Sequence, residues 1–408
     1  MNQRKDTPNM FMPACIVFVI ILAIRFYGEQ VNAINSTMLA FSYKYGFVSR
    51  GLIGSVYQIL DALLPVNLYT YDSVMIFTGI VTGIFFALLL YFFALCISES
   101  GVQNQNTVQL LCIFYMMFAV PFFVTKYNFG RLDIYLLMLS LAGVILILKE
   151  RAEWLIIPFV ALATMVHQGY VFMFFNILLV LLFVKCCDCQ GKKQRRYLCI
   201  LITAFVVASV LFLWFELFSH ANGTYAYEEV VELAKAVSRD GKTIHTDVID
   251  KEILGIDLTK REIPFHLQNA VQFPIFALLV SPYIVLIVGF LKGMIQKAKG
   301  RLSKLKYISI SIGVLTILPD LLLKVDFGRW MFAIVSYYLI VFLTLYGMRD
   351  EIFVNQMECL KNRFRNHKGI AVLLFIYPFI LQPFCDVSIC HVTAVIAGKI
   401  NEGFLHWW

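Results

Sequence analysis

The chain has 408 residues, of which 60% are hydrophobic and only 15% charged, and phenylalanine alone appears 37 times. No soluble core hides that much apolar surface, so the composition excludes a soluble enzyme and describes a single, all-α, polytopic membrane domain. The net charge of +8 sits in short loops between apolar runs, which orients a chain in a bilayer and argues against a nucleic-acid partner.

Met1 to Pro8 carries Arg4 and Lys5 and enters an apolar run without a small-residue cleavage site, as expected of an uncleaved first span. At roughly 20 residues per crossing, about eleven apolar segments follow, near 10–28, 74–97, 108–125, 133–148, 154–166, 168–185, 197–218, 272–291, 307–323, 331–348 and 370–384. With that count, Arg4/Lys5, Lys149/Arg151, Lys185 to Arg196, Lys292 to Lys306 and Arg349 to Lys368 all fall on one side. The positive-inside rule makes that side cytoplasmic, with the N-terminus inside and the C-terminus outside.

The pair at 154–185 is unusual. Its first limb, Trp154 to Val166, is only half a span, and His167-Gln168-Gly169 marks a bend, so a short re-entrant helix pair is expected. Two outer loops are long. In the first, residues 29–73, Met38 to Phe41 and Leu52 to Leu60 read as helices lying at the interface. In the second, residues 219–271, Val230, Leu233, Ala234 and Val237 share one helical face and Gly241 follows as a stop. The outer tail, 392–408, ends in an aromatic anchor, Trp407-Trp408.

Phe-Gly-Arg occurs twice, at Phe129-Gly130-Arg131 and Phe327-Gly328-Arg329, each time beside an apolar segment. A third outer arginine, Arg50, lies in Gly46-Phe47-Val48-Ser49-Arg50-Gly51. All three are on the side that the positive-inside rule depletes of cations. An arginine at bilayer depth is costly and takes a partner, and Asp133 and Asp326 are the nearest acids. Each arginine taken alone is accounted for by snorkelling or by its neighbouring aspartate. Three together, two of them after a glycine that lets the backbone approach a ligand, fit an anionic lipid headgroup gripped by guanidinium forks. Lys126 and Lys324 flank the two motifs and join Arg50, Asp133 and Asp326 as candidate substrate-binding residues.

His167 is the candidate proton acceptor, because neutral imidazole can take a hydroxyl proton at physiological pH. The bland alternative is a histidine bonded to a neighbouring helix. Histidines 220, 245, 266, 367, 391 and 406 fall in loops or the tail and read as solvated. Cys186-Cys187-Asp188-Cys189 matches no zinc spacing and reads as reduced and inert, whereas Cys385 and Cys390 face outward and are able to pair in an oxidising compartment. No phosphate-cradling glycine loop, Gly-x-Ser-x-Gly or His-Glu-x-x-His is present, so no cofactor or metal is called for. Asn35-Ser36-Thr37 and Asn222-Gly223-Thr224 are outward sequons of a kind common by chance.

The run from Tyr127 to Phe175, with an arginine at the outer start of one span and a half-span reaching His167, resembles the Wzy/EpsG-type bacterial polysaccharide polymerases. The long outer loop at 219–271 and the late outer Arg329 are also similar. The resemblance implies a GT-C-like membrane fold in the bacterial inner membrane. It further implies glycosyl transfer, at the outer face, between oligosaccharide repeat units carried on undecaprenyl diphosphate. Arg131 and Arg329 would hold the diphosphate, His167 would deprotonate the acceptor hydroxyl, Asp133 and Asp326 would orient the arginines, and Arg50 would clamp the donor. The implied partners are the lipid-linked glycans, membrane lipids, a flippase and a chain-length regulator. Rival expectations are an O-antigen ligase, a polyprenyl-monophosphate-sugar glycosyltransferase with Asp61 or Asp72 as base, and an oligosaccharide-lipid transporter in which the two Phe-Gly-Arg sites are remnants of a duplication.

Overall fold

The computed structural model describes residues 11–26, 30–124, 128–218, 224–254, 274, 277–278, 280–323 and 327–381. The protein is 83% helical with no strand among the described residues. The apolar segments read from sequence are helical over most of their described lengths. Five helices among the described residues, Tyr71–Glu99, Gln105–Val124, Gly191–Phe218, Arg301–Leu321 and Gly328–Gly347, are long and apolar enough to cross a bilayer. The protein is a helical membrane protein on that evidence. Lys126, Lys324, Asp326, Cys385, Cys390, Asn222 and the C-terminal tail lie outside the described residues.

In chain order the helices are α1 (Phe11–Phe26), α2 (Ala33–Thr37), α3 (Gly51–Leu63), α4 (Tyr71–Glu99), α5 (Gln105–Phe118), α6 (Val120–Val124), α7 (Asp133–Lys149), α8 (Ile156–Val166), α9 (Tyr170–Met173) and α10 (Phe175–Asp188). They continue as α11 (Gly191–Phe218), α12 (Thr224–Ala236), α13 (Thr246–Leu254), α14 (Ser281–Lys297), α15 (Arg301–Ile312), α16 (Leu318–Leu323), α17 (Phe327–Gly347), α18 (Glu351–Asn366) and α19 (Lys368–Leu381). Helices α7, α8, α10 and α11 pack on one another, and α17 packs against α4 and α5. Side chains at the centre are large and aromatic: Phe122 stacks on Phe332 with ring centroids 4.1 Å apart.

The basic loops gather at one end. Glu150 pairs with Lys185 and Lys193, Glu153 with Arg196, and Lys306 with Asp188 and Asp350. The hydrogen bonds from Lys185 and Lys193 hold the Glu150 carboxyl down to about 2. Arg349 Nε donates to the Glu99 carbonyl at 2.6 Å. These contacts place the loops after α4, α7, α10 and α17 and the start of α15 together, as the charge pattern requires of one membrane side.

The half-span and bend are present as read. Helix α8 has 11 residues, about 16 Å at 1.5 Å per residue, and rises from the basic end at Glu153. His167 then takes an extended conformation (φ −162°, ψ 122°) and ends it. Helices α9 and α10 return toward Lys185, so the His167 bend lies within the bundle, away from the basic end.

The first outer loop differs from its expectation. Met38 to Ala40 is a 3-10 turn, and Met38, Leu39, Ala40 and Phe41 are 7%, 5%, 1% and 0% exposed, packed in protein instead of lying at an interface. The reason is close approach of backbone to backbone. A Cβ at Gly54 of α3 would stand 1.7 Å from the Phe41 carbonyl oxygen and 2.9 Å from that of Leu39. Gly54→Ala therefore cannot keep α3 in place, and it should lower the folded yield in detergent sharply, whereas Gly79→Ala, which meets nothing within 4 Å, should match the parent in the same size-exclusion assay. Asn35, Ser36 and Thr37 of the first sequon are also buried, at 2%, 0% and 0%, with Asn35 Nδ2 donating to the Phe129 carbonyl at 2.8 Å.

Candidate functional site

Each arginine is positioned by a different local structure. Gly130 has φ +82°, and Arg131 N–H closes the turn onto the Asn128 carbonyl at 3.0 Å. That turn sends Arg131 back toward Asp133 at the start of α7, with Nε 3.9 Å from Oδ2. Arg329 is the third residue of α17, so the second Phe-Gly-Arg is helical where the first is a turn. Despite this the two converge on one carboxylate. Arg329 Nε donates to Asp133 Oδ2 at 2.8 Å and Nη2 to Oδ1 at 2.5 Å, a bidentate pair between side chains 7% and 3% exposed.

Arg50 precedes α3 with φ +64°, a left-handed conformation that costs a non-glycine residue about 1–2 kcal/mol. Strain of this kind persists where the surroundings over-determine it, as at ligand sites. Ser49, its neighbour, donates its hydroxyl to Gln168 Oε1, and Gln168 Nε2 donates to Glu216 Oε1 of α11 at 3.3 Å. The first outer loop is thereby tied to the His167 bend.

At the bend, Gly169 N–H donates to His167 Nδ1 at 2.8 Å. A Cβ at Gly169 would stand 3.0 Å from the ring, so glycine lets the imidazole fold back on its own backbone. With Nδ1 accepting, the neutral ring carries its hydrogen on Nε2 and offers a donor. The charges of Arg50, Arg329, Lys251 and Arg131 all act on this ring. The Ser49–Gln168 contact brings the Arg50 segment to this bend and Arg131 and Arg329 meet on Asp133, so the half-buried His167 lies in the field of arginines from three separate segments.

The second long loop, over its described residues 224–254, packs against the first. Of the face read from sequence, Val230 and Ala234 of α12 and Val237 just beyond it are 0% exposed and Leu233 is half-buried, and α12 packs against α2, the Met38–Ala40 turn and α13. Lys44 pairs with Glu229, and Arg239 Nη1 donates to Gln30 Oε1 at 2.5 Å. His245 is half-buried, with its N–H on Thr37 Oγ1 at 3.4 Å. Burial and the cations Arg50 and Arg131 lower its pKa, against the pull of Asp247. On α13, Glu252 faces Arg50.

Sequence reading missed three contributors: His245, assigned there to solvent, Lys251 and Glu252. A signal for Glu252 was available, because Ile249 and Ile253 form the buried stripe of α13 at 0% and 1% exposure and Glu252 falls within that stripe. Asp61 and Asp72, by contrast, do not join the cluster as catalytic groups: Asp61 Oδ1 accepts Leu68 N–H at 2.7 Å, and Asp72 is exposed in the first turn of α4. No group of three or more His, Cys, Asp or Glu side chains suited to a metal occurs among the described residues.

No family model matches the sequence, and no curated protein or solved structure matches it either.

Proposed function

We propose that the chain is a membrane-embedded glycosyltransferase that joins undecaprenyl-diphosphate-linked oligosaccharide repeat units into a surface polysaccharide, O-antigen or capsule. The observation that carries this reading is the meeting of Arg131 and Arg329 on the Asp133 carboxylate, at the end of the bundle away from the basic loops, with the Arg50 segment tied to the His167 bend through Ser49 and Gln168. A cation cluster beneath a folded loop, in a protein otherwise clad in apolar helices, suits an amphiphile with an anionic head and a hydrocarbon tail. In this reading the chain makes eleven crossings of the bacterial inner membrane in a GT-C-like arrangement, with the site at the outer face and the N-terminus inside.

Asp133 sets the geometry of two arginines at once. Arg329 spends its Nε and Nη2 donors on the carboxylate, while Arg131 stands at longer range. The pair presents fixed positive charge where the diphosphate leaves, so no reorganisation is needed as negative charge develops there. His167 adds an Nε2–H donor. Among the rivals, the polyprenyl-monophosphate reading has less support, since its named base Asp61 accepts the Leu68 N–H from the last turn of α3 and Asp72 is exposed at the start of α4. The duplication behind the transporter reading gains nothing from the two Phe-Gly-Arg sites, whose backbones differ.

A strain deleted for the gene should accumulate single repeat units on the lipid carrier in place of a long glycan ladder, and the intact gene should restore the ladder. Normal chain length in the deletion strain would overturn the polymerase reading. A deletion strain with no lipid-linked units would point to an earlier transferase.

A further inference from the structure

Arg50 and Glu252 form a pair with an unusual defect. Arg50 Nε and Glu252 Oε1 face one another at 3.7 Å, beyond the N–H···O range of about 2.7–3.2 Å. Both atoms are buried and neither has a hydrogen-bond partner among the described residues. The Glu252 side chain is 2% exposed and that of Arg50 15%. A buried donor and a buried acceptor left unsatisfied both cost stability, and such exceptions call for an explanation.

One ligand atom type removes both costs. An oxygen that accepts from Nε–H and donates to Oε1 at about 2.8 Å each sits at the apex of a triangle on the 3.7 Å base. A hydroxyl does this, having one donor and two lone pairs. An ionised phosphate oxygen does not, because it has no proton to give Glu252 and would repel it.

We infer that Arg50 and Glu252 are the acceptor subsite: they hold the attacking sugar hydroxyl, and Glu252 takes its proton. This rests on the glycosyl-transfer reading above and reassigns Arg50 from the donor to the acceptor. As the hydroxyl proton passes to Oε1, an oxygen lone pair forms the new bond to the anomeric carbon. The bond from that carbon to the diphosphate oxygen breaks, and its electron pair leaves on the diphosphate beside Arg131 and Arg329. Glu252 then releases its proton to solvent.

The surroundings fit the task. Burial raises the Glu252 carboxyl above the ordinary range, against the pull of Arg50 and Lys251 and with a push from Glu216, which moves a carboxylate toward the basicity a general base needs. The Arg50 segment is tied to the His167 bend through Ser49 and Gln168, and the charge of Lys251, the residue before Glu252, is felt at His167. The left-handed backbone at Arg50 (φ +64°) holds the guanidinium where α13 meets it.

The test uses the full-length chain. Glu252→Gln expressed in the deletion strain should yield at least about a hundredfold less polymer, the size of a lost general base, and Glu252→Asp should restore part of the ladder. Purified Glu252→Gln in lipid nanodiscs should bind undecaprenyl diphosphate as the parent does. Because the folded carboxyl's pKa lies above its unfolded value, ionised Glu252 costs stability as pH rises through and above the unfolded range, so the Gln variant should melt no lower than the parent at neutral pH. A Gln variant that polymerises normally overturns the assignment. So does one that loses carrier binding and melts lower, which would make Glu252 structural. Absence of undecaprenyl diphosphate binding by the parent would instead remove the glycosyl-transfer reading, and the acceptor subsite with it.

Discussion

Asp133→Ala should leave the chain poorly folded, whereas Asp133→Leu combined with Arg329→Met should fold well and remain inactive. The single change strips Arg329, 7% exposed, of the carboxylate that accepts both its Nε and Nη2 hydrogen bonds. Removing one member of a buried pair costs about 3–5 kcal/mol, because the surviving charge is uncompensated. Replacing both with apolar groups of similar volume is commonly neutral or stabilising. Thermal melts of Asp133→Leu, Arg329→Met and the double, read as a double-mutant cycle, give the coupling directly. If the pair served folding alone, the double variant would also restore glycan chain length in the deletion strain. Recovery of both fold and ladder would therefore take Arg329 out of the donor site.

That pair also marks the limit of what the sequence made legible. Patterns with a local period were readable. The buried stripe of α12, the half-length α8 and the break at His167 all follow from residues within one or two helical turns, and the Lys/Arg loops foretold which ends would meet. Pairings across the chain were not readable. Adjacency pointed Arg329 to Asp326, which lies outside the described residues; nothing local pointed it to Asp133, 196 positions away, which it reaches because α7 and α17 begin side by side. Likewise Met38 to Phe41 has the apolar content of an interfacial helix, and only the contact of Gly54 with the Phe41 carbonyl turns that stretch inward. The site is mostly a product of such long-range contacts. The residue types that carry charge were evident, but the roof over them, with His245, Lys251 and Glu252, depends on how two polar loops fold together.

His167 gives the second large effect, and its sign separates two chemical roles. A base must accept a proton on a ring nitrogen with a free lone pair. Here Nδ1 already accepts Gly169 N–H at 2.8 Å, so the neutral ring holds its hydrogen on Nε2, and protonating the ring breaks the bond that shapes the bend. A donor role asks only for Nε2–H. Glutamine places its amide near the Nε2 position and asparagine places its amide oxygen near Nδ1. His167→Gln should then keep polymer synthesis within about tenfold of the parent, about 1.4 kcal/mol in barrier. His167→Asn, which serves Gly169 but offers nothing at Nε2, should fall by about a hundredfold or more, as when one charge-stabilising donor is removed. Equal and severe loss in both variants, with folding intact by size exclusion, would return the base to His167 and leave Glu252 without a catalytic part.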